Sequence, residues 1–155
     1  MNVMTTNVGT AQQIQRIKTL IQKYNVAINP VLKEEEVLEV EKELGTELPE
    51  GYRQFLLEVG NGGMGPYYGM HSLQKEHLEI LNGNRASKRL QMCHEGYGYF
   101  FSLVIEGSDK SYMYHESSTE NTMKKLYFGF GEYSIPYTFL DWYEHWVKSG
   151  AKMME

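Results

Sequence analysis

Only one cysteine, Cys93, occurs in the chain, so no internal disulfide can form, and the sequence fits a reducing compartment. There is no excess of basic residues. Fifteen Lys and Arg stand against twenty Asp and Glu, a formal charge of −5, which disfavours nucleic acid and anionic membrane as partners because both require clustered cations. The first residues, MNVMTTNVGTAQQ, lack a positive segment followed by an apolar run and do not read as a secretory signal. The longest strongly apolar patch, Tyr99 to Ile105, is far too short to span a bilayer. Together these absences lead to the expectation of a cytoplasmic protein.

Familiar chemical motifs are missing as well. The sequence has no G-x-S-x-G elbow, no G-x-x-x-x-G-K-[ST] loop and no C-x-x-C pair. His94-Glu95 and His115-Glu116 each open like a zinc helix, but Gly98 and Thr119 stand where the second histidine belongs. Cys93 and His94 are neighbours and on a strand would face opposite ways. His71 and His77 are free to meet a carboxylate in space, though structural histidines are the commoner outcome. No catalytic residue, cofactor or metal ligand is assigned. Internal repeats, linkers and low-complexity segments are also lacking.

What is present fits one domain. A length of 155 residues suits a single hydrophobic core, and 41% apolar with 23% charged residues is the composition of an ordinary globular protein. Twelve tyrosines are many, and each brings an apolar ring with a polar tip to sheet and contact surfaces. Residues 1–9 are polar and small and are expected to be disordered. From Thr10, Ile14, Ile17, Leu20 and Ile21 fall at helical spacing. Val37, Val40 and Leu44 mark a second helix with glutamates in its first turn and Gly45 at its C-cap. Leu48-Pro49-Glu50 opens a third, with Tyr52, Phe55, Leu56 and Val59 on its buried face.

Beyond Gly60 the pattern shifts. A short extended piece is expected over Gly69–Leu73, a helical turn around Leu78–Leu81 and a polar loop over Asn82–Lys88. Strands follow from Tyr97, after the turn at Glu106-Gly107-Ser108-Asp109, and over Lys125–Tyr133, where Leu126, Phe128 and Phe130 alternate. Phe139, Leu140, Tyr143 and Trp146 or Val147 define a closing helix. Helices, then strands, then a helix imply an α+β fold: N-terminal helices, a mainly antiparallel sheet and a C-terminal helix in one domain, residues 10–150.

GNGGMGPYYGM, Gly60 to Met70, contains a literal G-x-G-x-x-G. A dinucleotide turn needs a strand before it and a helix after it, whose N-terminus holds the pyrophosphate. Here a helix precedes the glycines and Pro66-Tyr67-Tyr68-Gly69 follows, so the context contradicts the motif. The glycines are expected to stop the helix and turn the chain, with positive φ as their advantage. The loop position of Tyr67 and Tyr68 favours their exposure, whereas Tyr99 to Phe101 are expected to pack.

The run VLKEEEVLEVEKELGTELPEGYRQFLLEVGNGG resembles the SUKH superfamily, the domain type of the SMI/KNR cell-wall regulators. The resemblance is carried by Glu34 to Glu36, Leu44-Gly45, Leu48-Pro49, Tyr52, Phe55-Leu56 and Asn61-Gly62-Gly63. GYGYFFSLVIEG looks like that family's central strand and FLDWYEHWV like its closing helix, so the similarity spans roughly residues 30–148. Where the family often has Ser or Thr before the Glu run, this chain has Lys33.

The resemblance implies binding rather than catalysis. Small bacterial members are typically immunity proteins that neutralise a cognate toxin, often a nuclease of a polymorphic or contact-dependent system. Larger eukaryotic members act as signalling or scaffold proteins. The expected partner is therefore a cognate protein toxin, with neither nucleic acid nor membrane bound. Candidate contacts are Tyr67, Tyr68, Glu116, Glu120, Glu132 and Tyr133, chosen for acidic or aromatic character at expected loops and strand ends. A regulatory scaffold without a toxin partner is the alternative, and a nucleotide-binding enzyme or small-molecule binder using the glycine loop ranks below both.

Overall fold

A computed structural model describes residues 8–80, 88–129 and 131–151. Helix α1 (Val8–Lys23) begins two residues before the sequence reading placed it, taking in Val8 and Gly9 from the stretch expected to be disordered. The rest of that stretch, residues 1–7, lies outside the described residues. Helix α2 (Glu34–Leu44) starts without an acceptor side chain at its N-cap, Lys33, and keeps the other half of a capping box: the Glu36 carboxylate accepts from the Lys33 N–H at 2.9 Å. Gly45 closes it in the left-handed conformation, φ 77°, with its N–H donating to the Glu41 carbonyl. Helix α3 (Glu50–Glu58) has Pro49 as its N-cap and buries Tyr52, Phe55 and Leu56.

A 3₁₀ turn, Lys75–His77, leads into strand β1 (Leu78–Ile80), where the sequence suggested a helical turn. Then come β2 (Lys88–Gly96), β3 (Tyr99–Val104), β4 (Met113–Ser117) and β5 (Thr122–Lys125), antiparallel neighbours in the order β1-β2-β3-β4-β5. A small hairpin of β6 (Tyr127–Phe128) and β7 (Ile135–Pro136) precedes α4 (Phe139–Lys148). The strand expected over Lys125–Tyr133 is therefore broken. Gly129 and Gly131 have positive φ and turn the chain, and a Cβ at Gly131 would meet nothing within 4 Å, so no backbone among the described residues approaches it closely. Phe130 lies outside the described residues, as does most of the expected polar loop, residues 82–87.

Strand alternation gives the sheet two faces. Leu90, Leu103 and Met113 stand in register on one, and with Phe101 they join the helical core. Arg89, Ser102 and Glu116 lie on the other. The helices pack α1 on α4 and α3, and α3 on α4. Arg16 of α1 and Glu144 of α4 form an ion pair at 2.8 Å, joined by Gln13. Burial alone would raise the Glu144 carboxyl, but the hydrogen bonds from Arg16 and Gln13 outweigh it and hold it below the ordinary range.

The glycine loop is built into this frame. Isolated bridges run Ile28 to Gly63, Gly63 to Met70 and Met70 to Cys93, so the loop is stitched between the segment after α1 and strand β2. Gly62 and Gly63 take positive φ, as expected. Gly60 does not, and its requirement is space: a Cβ there would lie 1.9 Å from Ile28 Cγ2 and 2.4 Å from the Asn29 carbonyl oxygen. The loop that matches a nucleotide fingerprint by letters serves as a close-packed corner.

Candidate functional site

Two turns meet beside the end of β2. In the first, the Gly69 N–H donates to the Pro66 carbonyl, and Tyr67 occupies the left-handed region at φ 57°. The second is the two-residue link between β2 and β3, Tyr97-Gly98, with φ 55° and 84° as a type I′ hairpin requires. The Met70–Cys93 bridge and the His71 N–H to Met92 carbonyl bond, 2.8 Å, hold the turns together. Gly96 pairs with Tyr99, which leaves a bare site beside the Tyr99 ring, and Tyr68 fills it: a Cβ on Gly96 would sit 3.2 Å from Tyr68 Cε2.

An aromatic platform results. Tyr67 stacks on Phe101 with centroids 5.5 Å apart, and Phe101 in turn touches Trp142 of α4 and His115 of β4. The Tyr99 and His115 rings are parallel within 5° at 5.5 Å. At the rim Tyr68 is 65% exposed and Tyr97 92%. Two carboxylates edge the platform. Glu95 is 2.6 Å from His115 Nε2, and Glu120 accepts from the Tyr99 hydroxyl at 3.2 Å. Glu120 is brought there because the Ser118 N–H donates to the Gly98 carbonyl, tying the β4–β5 turn to the hairpin tip. These charges are felt by the phenols. Glu120 first, then Glu95, pushes Tyr99 up, and Glu95 adds to the effect of burial on Tyr67.

Among the sequence candidates, then, Tyr67, Tyr68 and Glu120 share one face. Tyr67 is half-buried and supports that face from below, while Tyr68 is on its surface. Glu116 requires correction. Expected as a partner contact at a strand end, it is 5% exposed, lies on the opposite face of the sheet and is ion-paired to Arg89. It borders a cleft of about 510 Å³ with Gln91, His94, Phe100 and Met123. Glu132 is exposed, and both it and Tyr133 fall in the 3₁₀ turn Gly131–Tyr133 between β6 and β7. That hairpin is anchored through Leu126 and Tyr137 at Met113, the end of β4 remote from Glu120. Tyr99, expected to pack, contributes instead to the platform. Sequence reasoning missed Glu95, and it raised Tyr97 with Tyr99 as an interaction surface but placed Tyr97 at the start of a strand. The signal for Tyr97 was the string Gly96-Tyr97-Gly98, whose flanking glycines mark a hairpin tip rather than the start of a strand.

His71 and His77 meet each other, not a carboxylate. Their rings are stacked at 4.2 Å and 8°, and His71 Nε2 and His77 Nδ1 are buried without a hydrogen-bond partner among the described residues. No group of three or more potential metal ligands occurs among the described residues. Burial first, then His77 and His94, holds His71 below the ordinary histidine value, against a raising bond from Gln91. A depressed value makes the protonated form costly in the folded state alone. Its contribution is therefore complete above about pH 6.5 and is lost as pH falls through the lower folded value. The urea midpoint is expected to fall between pH 7.5 and pH 5, and His71→Phe, which keeps a ring and removes the titrating group, is expected to flatten that fall. Parallel pH profiles for the two proteins would assign the loss to other groups.

A family model, the SMI1 / KNR4 family (SUKH-1), matches residues 32–141. The chain belongs to this family. The matched span runs from the segment before α2 to the first turn of α4, so it includes the glycine loop and the whole aromatic platform of this SUKH-1 domain. Comparison with curated proteins and with solved structures yields no significant match. Among the described residues, no helix is long and apolar enough to cross a membrane.

Proposed function

We propose that this SUKH-1 domain is an immunity-type binding module that neutralises a cognate protein toxin by covering its active site or an adjoining surface. The toxin is met through the face bearing Tyr68, Tyr97, Tyr99, Glu95 and Glu120. The observation that carries the reading is the conformation of two tyrosines. A bulky side chain in the left-handed region costs about 1–2 kcal/mol relative to glycine, yet Tyr67 and Tyr97 both occupy it on this face. The fold accepts that strain and in return holds one aromatic ring under the platform and another out in solvent. Exposed tyrosines on rigid turns are efficient anchors, since they bring large contact area with little side-chain entropy to lose. The acidic rim favours encounter with a basic surface such as a nuclease groove.

Family membership supports the role, because SUKH domains include known immunity proteins. Glu132 and Tyr133 on the separate hairpin would extend the contact only to a toxin that wraps past the end of β4. The test is co-expression with a candidate toxin encoded by a neighbouring gene. Protection is expected, and the double change Tyr68→Ala and Tyr97→Ala is expected to weaken toxin binding by about 2 kcal/mol or more, roughly thirtyfold. Equal killing with and without the protein would defeat the proposal.

A further inference from the structure

We infer that the platform is an arginine-accepting site: the surface of Tyr68 and Tyr99 beside the Tyr97 hairpin tip, edged by Glu95 and Glu120, takes an arginine side chain from a loop of a protein partner. The inference deepens the immunity reading and rests on it for the identity of that partner. Three features of the site argue for a guanidinium. It has flat rings, with Tyr99 and His115 parallel within 5° and the Tyr68 ring lying over Gly96 beside them. It also has carboxylates already fixed in place, Glu95 by His115 and Glu120 by Tyr99. Each uses one oxygen in that bond, and Glu95 Oε1 and Glu120 Oε2 accept no hydrogen bond from the described residues. Finally, the fixed charges sum to a negative value: Lys124, opposite His115 on β5, is a cation on the same side of the sheet, but it makes no ion pair among the described residues and does not offset two carboxylates, and His115 adds a positive charge only when protonated.

A planar guanidinium satisfies all three at once, because it stacks on an aromatic face and donates in its own plane to carboxylates at the edge. A lysine ammonium is a more strongly hydrated point charge and gains less from the rings. A nucleobase would stack equally well, but its phosphates would face Glu95 and Glu120, with Lys124 the one cation placed on this side among the described residues.

The experiment is an NMR titration of the full chain at about physiological salt with three probes: a capped tetra-arginine peptide, a capped tetra-lysine peptide and a single-stranded hexanucleotide. The arginine peptide is expected to shift the resonances of Tyr68, Tyr97, Tyr99 and His115 and to bind several-fold more tightly than the lysine peptide. Glu95→Gln with Glu120→Gln should weaken it at least tenfold. Tyr97→Ala, at an exposed tip where the fold asks nothing of the ring, should erase the preference over lysine. Shifts centred on the glutamate-rich first turn of α2, equal binding of both peptides, or tighter binding of the oligonucleotide would each overturn the inference. Toxin protection without arginine preference leaves the immunity reading standing and removes this one; arginine capture here without protection does the reverse.

Discussion

Replacing Glu116 with alanine is expected to destabilise the fold by about 3–5 kcal/mol, the usual result of leaving one member of a buried ion pair alone. Arg89, at the start of β2, reaches across β3 to Glu116 on β4. Its Nη2 donates to Glu116 Oε1 at 2.7 Å while Nε pairs with the other oxygen, and the side chains are 13% and 6% exposed. The Ser102 hydroxyl, fully buried on β3 between them, also donates to Glu116. Removing the carboxylate therefore strands a guanidinium and a hydroxyl together, and Arg89 Nη1 already lacks a partner among the described residues. The double change Arg89→Met with Glu116→Leu is expected to recover most of the loss, because well-packed apolar pairs often replace buried ion pairs without penalty. Urea denaturation of wild type, single and double variants makes the check. A Glu116→Ala loss below about 1 kcal/mol would mean that the pair is solvated like a surface pair.

Glu116 also illustrates why part of this molecule was readable in sequence and part was not. The three N-terminal helices were legible because each carries its own periodic apolar stripe and end signals: Ile14 and Ile17, Gly45 past Leu44, Pro49 before Tyr52. Such signals act over a few residues. Strand β2 went unseen because its nine residues, KRLQMCHEG, mix core positions with Arg89, Gln91 and His94, and its ladder shifts register twice, between Gln91 and Cys93 and between His94 and Gly96. Bulges break the period-2 pattern on which strand reading depends. With β2 missing, nothing assigned Glu116 a partner, and an acid on a strand looks exposed until an arginine two strands away is known. The proposed binding face was half legible for the same reason. Tyr67-Tyr68 stood out as a loop pair, whereas Glu95 and Tyr99 acquire their roles only from the Gly96–Tyr99 register and the docking of the glycine loop on β2.

Phe55→Ala is expected to cost about 3–5 kcal/mol, at the upper end for a core aromatic. Phe55 is fully buried on α3 and presents its ring edge-on to two residues of α4, Phe139 at 5.0 Å and 84° and Tyr143 at 4.7 Å and 67°. Each such pair adds about 0.5–1.5 kcal/mol beyond the area it buries, so Phe55→Leu, which keeps most of the volume and loses both ring contacts, is expected to cost about 1–3 kcal/mol. Urea midpoints order the series wild type, Leu, Ala, and a Leu variant as unstable as Ala would show that volume, not ring geometry, sets the loss. The consequence for binding follows from continuity of the core. Phe139 touches Trp142 at 6.0 Å, Trp142 touches Phe101 at 5.6 Å, and Phe101 carries Tyr67 at 5.5 Å. Those contacts run from the α3–α4 interface to the underside of the platform. Tyr97 hangs on the hairpin outside that line, so Phe55→Leu should lower the protein's melting temperature while the folded fraction's affinity for the proposed partner stays within a few-fold. The opposite pattern, intact stability with lost affinity, is the one expected of Tyr97→Ala, and the pair of variants separates a residue that holds the surface up from one that meets the partner.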